Sequence, residues 1–548
     1  MIAAPEHAPH ATGGIRAAAA GWSALPLGAR PPGRWALAAR WIVADLPEGR
    51  RLVENGEVVI EKDRILWVGQ RFPGEVSCRY DMGEALVGPG FVDLDALSDL
   101  DTTILGMDSQ PAWRKGRVWP SDYAVRAREM YSPDELAFQK RYAFAQLLLN
   151  GITSALPIAS LFYRAWGETV AEFEAAAEAA GDLGLRVWLG PAYRSGGVVL
   201  DTEGRMQPVF DEARGLAGLA EAAAFAERVH GSYGGLVSGM FAPDRVETCT
   251  EPLLRETFAR AEALDMPVRL HMAQGAMELE TVRRLHGMTA PAWLERLGLL
   301  STRLIAPHAT MATEEDLVRY AANGVTVAHC PLVSGRHGSV LRSFSALKAQ
   351  GVRVGMGTDT APPDMVLNMA VGLIANRVAE GRGDAGSAAE FYDAATLAGA
   401  DALRRPDLGR LAPGAKADIA VFDMADIRIA PRIDPVQTLI VGATGRVTRA
   451  TIVDGRIAMR GGEVAGMDLI HARGQAQEQF DRLVAQYPER TWQHPPVAEI
   501  FPPSYPLADP QSAAPQVERP TTSPDAPAAP PAQGPGSFSP PDIATEQP

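Results

Sequence analysis

"GPGFVDLDALSDLD", residues 88–101, decides the fold. It overlaps the apolar run "ALVGPGFVDLD", residues 85–95, which reads as the first strand. That strand ends on Asp95, and Leu97, two residues on, faces the same way because strand side chains alternate. Seven more apolar runs follow: "ITSALPIA", "LRVWLGPAY", "GLVSGMFAPD", "PVRLHMAQ", "RLIAPHAT", "VTVAHCP" and "VRVGMGTDT". Helical stretches such as "SPDELAFQKRYAFAQLLLNG" and "EPLLRETFARAEALD" separate them. Eight such repeats predict an α/β fold, a (β/α)8 TIM-like barrel over residues 89–409.

The strand ends carry the chemistry. Asp95, Tyr193 with Arg194, Asp244 with Arg245, His271 with Gln274, His308, His329 and Asp359 each close an apolar run. In a barrel of this kind the strand ends converge on one mouth, where catalytic groups sit.

Outside the barrel, "EVVIEKDRILWVG" and, far downstream, "ADIAVFD" and "ATIVDGRIAMRGG" read as hairpins, the last turning at Asp454–Gly455. They predict a small composite β-sandwich of residues 35–88 and 410–470. Residues 1–34 read as a loose arm rich in Ala, Gly and Pro. Residues 471–496 carry a docking helix with Ala476, Phe480, Leu483 and Val484 on one face. From residue 497 a Pro-rich segment predicts a disordered tail. Within "WQHPPVAEIFPPSYP", Trp492, Ile500, Phe501 and Tyr505 are candidate anchors for wrapping around a neighbouring subunit.

The chain has 548 residues and a formal net charge of −14, which argues against nucleic-acid and anionic-membrane partners. No apolar run spans a bilayer, and no basic stretch precedes an apolar core as in a signal peptide. Cys78, Cys249 and Cys330 lie far apart and read as small buried groups of a reduced, cytoplasmic protein. A small-molecule substrate and a homo-oligomer are the expected partners.

From about residue 38 to 465 the sequence resembles the amidohydrolase superfamily, in its branch of cytosine and guanine deaminases and triazine hydrolases. "PGFVD", "RLHMAQGAME", "LIAPHATMATEEDLVRYAANGVTVAHCPLVS", "VGMGTDT" and "APGAKADIAVFD" carry the resemblance. It implies hydrolysis of a non-peptide C–N bond in a small cyclic substrate. It also implies one divalent metal, zinc or iron, on an H-x-H of strand one, a strand-five histidine and a strand-eight aspartate; a strand-six histidine and a glutamate after strand five handle protons. Carried over, the ligands are His271 and Asp359 and the strand-six histidine is His308. The H-x-H falls on Asp95 and Leu97, and the glutamate on Gln274. Leu97 cannot bind a metal, and Gln274 cannot exchange a proton near neutral pH. No lysine on strand four offers a carbamylated dinuclear site.

Three readings stay open: a hydrolase with a reduced metal site of His271, Asp359 and Asp95; a metal-independent enzyme on the same barrel; and a silent relative that binds a ligand or partner. Under the first two, His308 and Asp359 handle protons. Gln274 keeps a hydrogen-bonding place in the catalytic set, and His329 either joins it or packs behind it. Arg245, Tyr193 and Arg194 are candidate substrate-binding groups, a salt bridge being the alternative for the arginines. Trp113 and Trp119 read as pocket-lining or packing aromatics, and Asp99 and Asp101 as surface or capping residues.

Overall fold

The computed structural model describes residues 21–100, 119–161, 163–339, 343–506 and 508. Trp113, Asp101 and most of the predicted tail lie outside them. The chain divides into two units, residues 1–502 and 503–548; the first is described here.

Eight parallel strands, β1 to β8, form the barrel: Phe91–Leu97, Ile152–Ile158, Arg186–Leu189, Val237–Gly239, Val268–Arg269, Leu304–Pro307, Thr326–His329 and Arg353–Met356. Hydrogen bonding runs β1-β2-β3-β4 in one half and β5-β6-β7-β8 in the other. The halves meet through Phe241 beside Val268 and Arg245 beside His271. At the opposite seam, Asp93 accepts from the Thr358 amide and hydroxyl, and the Asp359 amide donates to the Asp95 carbonyl. Gly357 permits this closure, since a Cβ there would lie 2.7 Å from Cβ of Asp95.

Helix starts follow local chemistry. Ser132 and Glu135 form a capping box at Pro133–Leu149, and Thr169 and Glu172 another at Val170–Leu183. The latter helix ends on Gly184 at φ 78°, a left-handed position suited to glycine.

Strands from both ends of the chain join one nine-stranded sheet, Ile419–Asp423 pairing antiparallel with Ala85–Pro89. Trp35, Ile42, Ile60, Ile419 and Ile452 share its core. Residues 21–33 do not hang loose as the composition suggested. Trp22 is buried against Trp35 and Tyr80, and Arg460 donates to the carbonyls of Trp22 and Leu25.

The C-terminal helix Leu469–Gln486 buries Ala472, Ala476, Gln479 and Leu483, while Phe480 and Val484 are half-buried. The residues after 496 also begin with structure: Val497–Ile500 is helical, Ile500 is buried, and Phe501 packs on Tyr487. Trp492 donates to the Asp201 carbonyl. Ile500 and Phe501 anchor within their own chain, because Trp119, Tyr123, Tyr131 and Tyr163 present an aromatic surface to them. Cys78 is exposed, contrary to the reading of all three cysteines as buried; Cys249 and Cys330 are buried.

Candidate active site

The barrel mouth opens into a cavity of about 420 Å³. His271, His308 and Asp359 line its floor and Asp95 is buried behind them: Asp95 Oδ2 lies 3.4 Å from His271 Nε2 and 3.8 Å from His308 Nε2, and His308 Nε2 lies 3.6 Å from Asp359 Oδ2. The donor atoms of Asp95, His271 and His308 all fall within 4.8 Å of one another. Asp359 joins this group through His308 rather than as a member of the close triad. Leu97 lines the cavity beside them, two residues beyond Asp95 on the same face of β1.

The backbone is strained where these groups emerge. His308 and Asp359 hold φ at 70° and 43°, and Ala273 at 52°, left-handed values that side chains with a Cβ rarely adopt.

Burial sets the charge states. It pushes the Asp359 carboxyl well above the usual carboxylate range, reinforced by the anions of Asp95, Asp93 and Asp99. For Asp95, burial acts in the same direction, but His271, Arg269 and His308 outweigh it and bring the carboxyl below its usual value. Burial lowers His308 to about 3 against the pull of Asp95. Burial thus favours the protonated form of Asp359 and the neutral form of His308, while the neighbouring cations favour the charged form of Asp95.

A model of the amidohydrolase family matches residues 89–458, from the first barrel strand into the returning sheet. The chain belongs to the amidohydrolase family. Relatives include a 5-methylthioadenosine/S-adenosylhomocysteine deaminase of Desulfitobacterium hafniense, 28% identical over 437 residues, which span 76% of this chain and 91% of the relative. The corresponding enzyme of Halobacterium salinarum is 28% identical over 444 residues, 79% of this chain and 95% of the relative. Two solved structures share the fold. A zinc-bound adenosine deaminase from Xanthomonas campestris superimposes with TM-score 0.69 at 23% identity, covering 83% of this chain and 99% of the other. A zinc complex of atrazine chlorohydrolase from Arthrobacter aurescens gives 0.68 at 22%, covering 81% and 99%.

In this amidohydrolase the upper cavity is polar. Arg245 Nε donates to Glu247 Oε1 at 2.6 Å and its Nη1 to Gln274 Oε1 at 2.5 Å. Arg245 thus pairs with Glu247, while Asp244 faces Arg194 at 3.9 Å. Arg194 lines the cavity between the rings of Trp119 and Trp166, with Nε and Nη2 lacking any hydrogen-bond partner.

Three assignments need correction. Tyr193 does not face the cavity: its hydroxyl bonds Thr257 at 2.9 Å inside the barrel wall. Neighbouring strand residues point oppositely, so Tyr193 and Arg194 could not both reach the mouth. His329 likewise stays off the cavity wall, its ring among Phe344 and Phe391, and burial lowers it to about 4. Asp99 is buried, not superficial; it accepts from the Ser160 amide.

Three functional groups escaped the sequence reading. Glu247 and Glu278 line the cavity, Glu278 accepting from the amides of Ala273 and Gln274 at 2.6 Å each. Burial, aided by Glu247, raises Glu278 to about 7. Arg269, two residues before His271, lies beneath the floor.

The floor residues fit a divalent ion. The spacings of 3.4 and 3.8 Å are those of ligand atoms around one shared centre about 2 Å from each. Both ring nitrogens of His308 and Oδ1 of Asp95 are buried without hydrogen-bond partners. Imidazole with carboxylate suits zinc or iron.

Proposed function

We propose that this amidohydrolase hydrolyses a C–N bond other than a peptide bond, releasing ammonia from a small cyclic amino-substituted substrate of purine type. The carrying observation is the convergence of His271, His308 and Asp359 at the floor of one cavity on Asp95, buried directly behind them. The activity of the deaminase relatives supports the choice of substrate class.

Asp95, His271 and His308 would hold the ion, with Asp359 beside them. When bound, the ion supplies Lewis-acid polarisation and lowers the pKa of water. The remaining steps belong to the protein. Burial favours the protonated form of Asp359, which donates from Oδ2 to the departing amine and regains a proton from the attacking water. His308, kept neutral by burial, keeps its ring nitrogen available as a ligand 3.6 Å from Asp359 Oδ2. Gln274, its carbonyl held by Arg245, offers its amide N–H groups to a ring nitrogen or carbonyl. Leu97, Ile158, Leu161 and Val333 exclude water from the ring faces. Arg194, with two free donors, receives an acceptor group of the substrate.

The test is ammonia release from 5-methylthioadenosine, S-adenosylhomocysteine, adenosine and guanine, using protein prepared without chelators and supplied with zinc or iron. Turnover of at least one is expected. No release from any of them sinks the purine-type reading.

A second reading, a ligand-binding protein without turnover, is favoured by one observation. Gln274 occupies the place where the family resemblance expects a proton-carrying glutamate, and its carbonyl is already engaged by Arg245.

A further inference from the structure

Layers of aliphatic side chains normally fill the interior of such a barrel. Here a guanidinium occupies it. Arg269 is 1% exposed and lies on β5 two residues before His271, so both side chains face inward. Its Nη1 donates to the carbonyls of Leu156 and Pro157 on β2 at 2.9 Å each. Its Nε lies 3.7 Å from Oδ1 of Asp95, too far for a hydrogen bond but close enough for strong Coulomb attraction in a buried site.

Asp95 is thereby divided. Oδ2 faces His271 and His308; Oδ1 faces Arg269 and has no hydrogen-bond partner. Asp95 is completely buried, and an isolated buried carboxylate is costly unless a cation accompanies it. The two backbone carbonyls fix the guanidinium, so this cation cannot swing away.

We propose that Arg269 is a positioning residue, the fixed counter-cation of Asp95. It keeps the carboxylate aimed at the two histidines when no ion is bound, and its charge opposes a divalent ion at Asp95, His271 and His308. The inference rests on Asp95 serving as a ligand, as in the function proposed above, but not on turnover. Its consequences have opposite signs. Removing the cation destabilises the metal-free protein, because Asp95 is left uncompensated. It tightens binding of a divalent cation, because a repulsive charge is gone and an unpaired carboxylate gains a partner.

The experiment titrates zinc alone into chelator-stripped full-length protein, in competition with a chromophoric chelator, alongside thermal melts with and without zinc. Arg269→Met should bind zinc about tenfold more tightly than the parent, or acquire binding where the parent has none. Its metal-free form should melt lower, and zinc should raise its Tm by more. Arg269→Lys, which retains the charge, should stay within about threefold of the parent. Unchanged, weaker or absent zinc binding in folded Arg269→Met overturns the proposal. Should that variant fail to fold, Arg269→Met combined with Asp95→Asn should fold, since no buried anion then needs the cation. Failure of both would mean that Arg269 serves only the two carbonyls. Zinc binding as described without ammonia release would sink the deaminase reading and leave this one standing.

Discussion

The backbone amide of Asp359 donates to the carbonyl of Asp95 at 2.8 Å, so the bond that closes the barrel also joins two of its candidate functional residues. The Asp359 side chain is freed by this arrangement: its backbone holds the seam while its carboxyl, pushed toward its protonated form by burial, faces His308. Asp359→Ala should therefore keep the fold and lose turnover by roughly 10²–10⁴-fold, the range for loss of a positioned proton donor. Ligand binding should persist. Steady-state ammonia release together with circular dichroism checks this, and undiminished kcat would remove Asp359 from the mechanism.

Metal binding separates the residues differently. Asp95, His271 and His308 form the close triad, and Asp359 stands outside it. Zinc should raise the Tm of the parent protein, since a ligand bound only by the folded state stabilises it. Asp95→Ala and His271→Ala should abolish that rise, whereas Asp359→Ala should retain most of it. Equal loss in all three would make Asp359 a full ligand. Treatment with a chelator should return the parent to the lower Tm.

His329 contributes to acid sensitivity. Burial among phenylalanine rings lowers it to about 4, against an ordinary value of about 6.5. Between those values the unfolded chain binds a proton that the folded chain refuses. This contribution to stability is therefore present above about pH 6.5 and lost as pH falls toward 4. His329→Leu should reduce the slope of unfolding free energy against pH in that window by about 1.4 kcal/mol per pH unit. Urea unfolding between pH 4.5 and 6.5 measures it; an unaltered slope would mean that His329 is protonated in the folded protein.

Much of the site was legible because strand ends in a barrel converge, whatever the loops do. His271, His308, Asp359 and Asp95 each closed an apolar run, and the structure brings them together. Alternation was underused. It separates Tyr193 from Arg194, and it aligns Arg269 with His271, yet a charged residue inside "PVRLH" reads by composition as exposed. Glu247 lies in the irregular turn Val246–Thr248, where no period assigns a direction. Its place follows from Arg245, which reaches it from two residues away. The N-terminal segment misled for another reason: its small residues carry no pattern, and Trp22, Leu25 and Leu27, which dock it on the sheet core, are too few to show one.

Gln274 gives the sharpest division between an enzyme and a silent relative. Its side-chain carbonyl accepts from Arg245, its backbone N–H donates to Glu278, and its backbone carbonyl accepts from the Thr310 hydroxyl, so the residue is held on three sides. A glutamate of the same length fits without disturbing these bonds, and Arg245 would receive a charge-assisted partner. Its second carboxylate oxygen would face the cavity as a proton acceptor that the amide cannot be. Gln274→Glu should raise kcat about tenfold or more if Asp359 alone carries the proton in the parent, with little change in thermal stability. A pH–rate profile should then gain an ionisation on its acidic limb, because the new carboxylate must be charged to act. A variant as slow as the parent at every pH would mean that proton transfer at position 274 does not limit the reaction. Turnover gained from an inactive parent would instead establish that the glutamine is what silences the site.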